Sequence, residues 1–144
     1  LAERYANRIV RLKDGEIVWF GSDCGKYGEG AKKQWDDASY NYELLTGLDI
    51  DMSKADMLDY HVSQMNHAMV LSGVNLDENG VPNRWKIENS WGDASGQKGY
   101  YIGSEKWFKA NVYQITVRRS LLSDAQRALL DQEPLPMKLW DPLA

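Results

Sequence analysis

The chain predicts an α+β fold: an antiparallel sheet curled into a half-barrel, flanked by short helices and finished by an extended carboxyl-terminal arm. Two apolar runs, residues 68–74 and 84–89, flank Asp77-Glu78-Asn79-Gly80, which reads as a turn between antiparallel strands. Further strand-like segments follow at short spacing, as an antiparallel sheet closing toward a barrel requires. Ser-led capping sequences at Ser53 and Ser123 open brief helices. With 144 residues, 43% of them hydrophobic and 26% charged, one globular domain with a real core is expected.

Taken in order, Glu16 to Phe20 reads as a short strand after the Asp14-Gly15 turn, and Gly21 to Lys26 breaks it. Lys26 to Gly47 reads as a loop with short helical pieces at the barrel edge, its Trp35, Tyr40 and Tyr42 serving packing first, with a substrate-facing role as the alternative. Ser53 with Asp56 caps a helix running to about Tyr60. The central hairpin follows, then a polar loop from Asp93 to Lys98. Gly99 to Gly103 reads as a strand, Ser104 to Phe108 as a helical turn, and Tyr113 to Arg118 as an alternating strand. Ser123 with Gln126 caps a helix that Pro134 ends. Residues 1–132 thus form the barrel domain and 133–144 an arm, whose Pro134, Pro136 and Pro142 disfavour both helix and central strand. Trp140 argues that this arm is held rather than left in water.

Several function classes lose support at this level. A net charge of −4 with scattered Lys and Arg offers no nucleic-acid groove or anionic-membrane surface. No apolar run is long enough to span a membrane, and Leu1-Ala2-Glu3-Arg4 does not begin a signal peptide. A single cysteine forms no intrachain disulfide, and the cytoplasm is the expected compartment. No cofactor or metal is expected, because His61 has no acidic or thiol partner at ligand spacing.

The hairpin carries the chemistry. His67 opens the first strand and Asn89 ends the second, so an antiparallel pairing brings them together at one end of the ribbon. Imidazole is the usual proton shuttle near neutrality. A carboxamide oxygen can hold one ring N–H, fixing tautomer and orientation without adding charge, as in a Cys-His-Asn site. Trp91 would shield that hydrogen bond. On spacing alone, a strand-end histidine and a turn asparagine are the favoured reading; the residue types around them carry the rest. Cys24 is expected to be a structural thiol. Gly-Lys-Tyr-Gly-Glu-Gly follows it and cannot sustain the helix whose amino terminus would lower its pKa, and it precedes His67 by far too few residues for a papain-type nucleophile.

Asn66-His67-Ala68-Met69 followed by Glu88-Asn89-Ser90-Trp91-Gly92 resembles the His and Asn motifs of papain-like cysteine peptidases. The likeness is greatest to the bleomycin hydrolase family, which includes the bacterial aminopeptidases C, E and G. It extends through Lys98-Gly99-Tyr100, Trp107-Phe108, Gln132-Glu133-Pro134 and Trp140-Asp141-Pro142. The resemblance implies the right-hand, barrel-like half of the papain fold, with peptides as substrates and His67 and Asn89 as catalytic residues. It also implies that the nucleophilic cysteine, and a glutamine before it, lie in an amino-terminal domain outside this chain, which alone should be inactive. A homohexamer is implied as well.

The same resemblance implies an arm lying along the cleft, its terminal residues Leu143 and Ala144 gating access and favouring a free α-amine. Family aminopeptidases often continue past Trp-Asp-Pro with Met-Gly-Ala-Leu-Ala, whereas here Leu143-Ala144 follows. An arm shorter by about three residues, at roughly 3.3 Å each, retracts by about 10 Å and uncovers a subsite. An endopeptidase or oligopeptidase therefore stands as an alternative. An inactive binding or assembly module stands as another, which the residue at the upstream cysteine position would decide.

Overall fold

The computed structural model describes residues 9–10 and 17–142. Its strands are β1 (Ile9–Val10), β2 (Val18–Ser22), β3 (Gly28–Glu29), β4 (Gln34–Trp35), β5 (His67–Leu76), β6 (Pro82–Glu88), β7 (Tyr100–Ser104) and β8 (Val112–Thr116). The helices are α1 (Tyr42–Thr46), α2 (Lys54–Asp59), α3 (Glu105–Asn111) and α4 (Asp124–Leu130). The strands form one open sheet in the order β3-β4-β7-β6-β5-β2-β8, with β1 also paired to β5. The α+β class expected from the sequence holds.

The long β5–β6 hairpin is the centre of this sheet. Its turn is built on Asp77, whose carboxylate accepts from the amides of Asn79 and Val81. Gly80 supplies the φ of +79° that the turn demands. Pro82, which has no N–H to donate, takes the first position of β6.

Three expectations need correction. Gly21 and Ser22 do not break β2; they pair with Ala68 and His67 of β5, and the strand ends at Ser22. Met65 fills the space over Gly21 that a side chain would take, so the sheet tolerates the glycine there. The stretch from Lys26 to Gly47 is more than a loop with helical turns, since it contributes β3 and β4. β4 runs parallel to β7, with Gln34 opposite Ile102, so the sheet is not wholly antiparallel. Such a pairing links segments far apart in sequence and leaves no local turn signal.

Both capping predictions hold. The Ser53 hydroxyl accepts from the Asp56 amide, and Ser123 with Gln126 forms a reciprocal capping box. Ser104 likewise caps α3 by accepting from the Trp107 amide, and that helix runs beyond Phe108 to Asn111.

Phe20, Met69, Leu71 and Ile87 line the buried side of the sheet, and Trp107 of α3 closes over them with Trp35. The Trp35 and Trp107 rings stack with centroids 5.4 Å apart, and Trp35 lies 4.6 Å from Tyr101. Trp35 therefore serves the packing role expected of it, whereas Tyr40 and Tyr42 are exposed and stack on each other. From 133 to 138 the backbone has no regular structure. Trp140 is 73% exposed, so the expectation of a covered indole is not met; its ring meets the Lys138 ammonium at 5.3 Å. Leu143 and Ala144, the expected gating residues, lie outside the described residues. Among the described residues, no helix is long and apolar enough to cross a membrane.

Candidate active site

Strand parity builds the site. Leu71 of β5 faces Ile87 of β6, and both point into the core. Side chains two residues apart share a face, so Met69 and His67 continue the first inward row while Asn89 and Trp91 continue the second. The paired register ends at Val70 and Glu88, and beyond it Asn89 and Trp91 reach His67 through their side chains. The apolar core thus gives way, at the end remote from the turn, to an imidazole, a carboxamide and an indole.

His67 Nε2 and Asn89 Oδ1 lie 2.7 Å apart. The roles in this bond follow from Asn89's other contact: the Ser90 amide donates to the same oxygen at 2.8 Å, which fixes Oδ1 as the acceptor end. His67 therefore carries its proton on Nε2 when neutral, which leaves Nδ1 as the unprotonated nitrogen. Asn89 is 8% exposed, and its backbone N–H donates to Gly99 O, which pins the end of β6 to the start of β7. Its amide nitrogen has no protein partner among the described residues.

Trp91 lies over the imidazole with centroids 5.2 Å apart and planes 26° from parallel. The edge of Tyr101 and the ring of Trp35 back it, at 6.0 and 6.3 Å. The loop that returns to β7 is tight: a Cβ on Gly96 would fall 2.5 Å from the Tyr101 ring. Half of Trp91 remains exposed, and it stacks on one face of His67.

On the other side, β2 holds the start of β5. Ser22 pairs with His67, and Ser22 O accepts from the Asn66 amide at 3.0 Å. Asn66 Oδ1 accepts from the Cys24 amide, and its Nδ2 donates to Asp23 Oδ1. Asp23 escaped the sequence reasoning. Its partners Ser63 and Asn66 lie 40 and 43 residues away, and no local pattern joins them.

Cys24 is partly buried, and burial followed by the adjacent Asp23 charge pushes its thiol above the ordinary cysteine range. That is the reverse of an activated nucleophile, in agreement with its reading as a structural thiol. His61 is an exposed residue just past α2 with φ of +53°. No metal-binding cluster of His, Cys, Asp or Glu exists among the described residues.

Known proteins share this architecture. The chain is 44% identical over 137 residues to aminopeptidase C of Streptococcus thermophilus, covering 94% of the chain and 30% of that relative. It is 43% identical to aminopeptidase E of Lactobacillus helveticus, covering 96% of the chain and 32% of the relative. The crystal structure of PepW from Lactobacillus rhamnosis superposes with a TM-score of 0.85 at 40% identity, over 91% of this chain and 30% of that one. The chain therefore spans less than a third of the length of these relatives, in their carboxyl-terminal part. The Peptidase C1-like family profile matches residues 4–144. By that match, and by its identity to named aminopeptidases along nearly its whole length, the chain belongs to the Peptidase C1-like family.

Proposed function

We propose that this chain supplies the proton-transfer half of a cysteine aminopeptidase, with His67 as general acid and base, Asn89 as its orienting partner and Trp91 as its cover. The observation that carries this is the 2.7 Å contact from His67 Nε2 to an Asn89 oxygen already fixed by the Ser90 amide. It commits one ring nitrogen to positioning and frees the other for chemistry. The partner is uncharged, so the imidazolium can pair with a thiolate without a competing carboxylate.

In this proposal a cysteine thiolate from another part of the natural polypeptide attacks the scissile carbonyl carbon. His67 Nδ1–H gives its proton to the departing amine as the C–N bond breaks, leaving an acyl thioester. Neutral His67 then takes a proton from water, whose oxygen attacks the thioester; the acid leaves and the thiolate–imidazolium pair is restored. The aminopeptidase direction rests on the names of the relatives. The proposed architecture is a half-barrel domain over residues 1–132 with an arm over 133–144, whose terminal Leu143 and Ala144 gate the cleft.

The test uses the natural polypeptide that carries this chain, assayed on aminoacyl-arylamides. His67→Ala should abolish turnover while circular dichroism and the melting temperature stay close to those of the unsubstituted protein. Hydrolysis at a near-normal rate by that variant overturns the assignment.

A further inference from the structure

Among the charged side chains of the described residues, Asp23 is the one that is buried, at 2% exposure. It forms no ion pair among those residues. Its carboxylate is held by four donors. Oδ1 accepts from the Gly25 amide at 3.0 Å and from Asn66 Nδ2 at 2.8 Å. Oδ2 accepts from Ser63 Oγ at 2.8 Å and, at 3.4 Å, from the Gln64 amide. Tyr113 OH donates to Ser63 Oγ in turn, which ties this cluster to β8. An anion taken out of water without a cation is costly and persists only where its lone pairs are met.

Three of the four donors come from one segment. Ser63, Gln64 and Asn66 are the segment that leads into His67, and Gly25 belongs to the loop that turns away from β2. The frame of that loop is rigid: the Asp23 amide donates to Asn111 O at 2.9 Å, Trp35 Nε1 to Cys24 O at 3.0 Å and Trp107 Nε1 to Lys26 O at 3.1 Å. Asn66 is partly exposed, yet its amide, its side-chain oxygen and its side-chain nitrogen are all held by residues 22–24. The next residue is His67. Holding the preceding peptide plane, together with the pairing of His67 to Ser22, constrains where the His67 side chain starts, and a misplacement of about 1 Å can reduce a rate about a hundredfold.

We propose that Asp23 is a positioning residue for His67, acting through Asn66 and the 63–66 segment. This rests on the peptidase assignment for His67, and the test separates the two. In the natural polypeptide, Asp23→Asn, Ser63→Ala, Asn66→Asp and the paired Asp23→Asn/Asn66→Asp are compared on an aminoacyl-arylamide. The tautomer of His67 is read from imidazole nitrogen chemical shifts, assigned by their loss in His67→Ala.

Each carboxylate oxygen of Asp23 accepts from a backbone N–H, of Gly25 or of Gln64, so the –NH2 of Asp23→Asn meets a donor whichever way it turns. The substitution should lower kcat by about tenfold to a hundredfold with KM held within about twofold, since a misplaced acid weakens the transition state more than substrate binding. The Nε2–H population of His67 should fall in parallel. Ser63→Ala, which keeps the carboxylate, should show the same pattern more weakly. The paired substitution restores a donor opposite an acceptor across the 23–66 contact and should recover part of kcat and of the tautomer together.

The proposal is overturned if Asp23→Asn lowers the melting temperature but leaves kcat and the His67 tautomer unchanged. It is also overturned if the paired substitution recovers neither. Should the unsubstituted polypeptide cleave no arylamide, the peptidase assignment fails, and the tautomer readout, which needs no turnover, still decides the part played by Asp23.

Discussion

Removing the Asn89 side chain tests the central contact most directly. Asn89→Ala deletes the acceptor of two hydrogen bonds, from His67 Nε2 at 2.7 Å and from the Ser90 amide at 2.8 Å. Only the first bears on chemistry. In the proposed acylation step the ring is an imidazolium, and a hydrogen bond to a charged group contributes about 1.5–3 kcal/mol net. At about 1.36 kcal/mol per decade of rate, that loss corresponds to a kcat lower by about 10-fold to 150-fold. KM should change by less than about twofold, because Asn89 is 8% exposed and faces His67 rather than the open cleft. The loss of the Ser90 contact should appear separately, as a destabilisation of about 1 kcal/mol in urea unfolding. Steady-state kinetics of the natural polypeptide on an aminoacyl-arylamide read the first effect. A kcat within about twofold of the unsubstituted protein would mean that packing alone, and not the Asn89 carboxamide, holds the imidazole in place.

Three further outcomes follow from the same geometry. Trp91→Ala should reduce kcat by about 2-fold to 10-fold, since a stacked ring pair contributes about 0.5–1.5 kcal/mol and half of this indole is already in water; a change in KM alone would make Trp91 a substrate contact instead. Cys24→Ala should leave turnover intact, and Cys24 should be alkylated by iodoacetamide more slowly at pH 8 than a free thiol, because burial and the Asp23 charge hold it protonated. The alkylation rate should rise as pH climbs toward its raised pKa, and fast labelling at neutral pH would contradict this. Trp107→Ala, at a fully buried position, should cost about 3–5 kcal/mol in urea unfolding, whereas a loss under about 1 kcal/mol would show that the aromatic cluster is not the core.

Much of the site was legible because it lies on one local unit. A hairpin announces itself through alternation and its turn, and Asp77 to Gly80 fixed which ends of β5 and β6 would meet. Capping residues were equally plain, since Ser53 and Ser123 act within four residues of themselves. The misses have a shared cause. β4 joins β7 through a parallel pairing, and Asp23, just past β2, meets Ser63 and Asn66 of the segment before β5. The bulge at β5 between Leu71 and Gly73 also left no mark in the alternation, because the buried residues of β5 keep their period of two through it. Such contacts depend on how distant elements are brought together, which residue spacing does not record.

The position of the pair explains why so much of the surrounding structure is devoted to anchoring. His67 and Asn89 stand at the open end of a hairpin, remote from the turn, where a two-stranded ribbon on its own frays. Each therefore needs a third element. Asn89 gets it from β7, through its bond to Gly99 O, and from the Ser90 amide. His67 gets it from β2, through Ser22 and the Asp23–Asn66 clamp. The two anchors are independent of each other, one built mainly on backbone amides and one on a buried carboxylate. A variant that loosens only one should let the ring and the carboxamide separate while the hairpin stays paired. Hydrogen exchange should then rise at Asn66 and His67 after Asp23→Asn but at Asn89 and Ser90 after Asn89→Ala, with the amides of Leu71 and Ile87 unchanged in both. Exchange that rose together along the whole ribbon would show a single cooperative unit and remove the basis for two separate anchors.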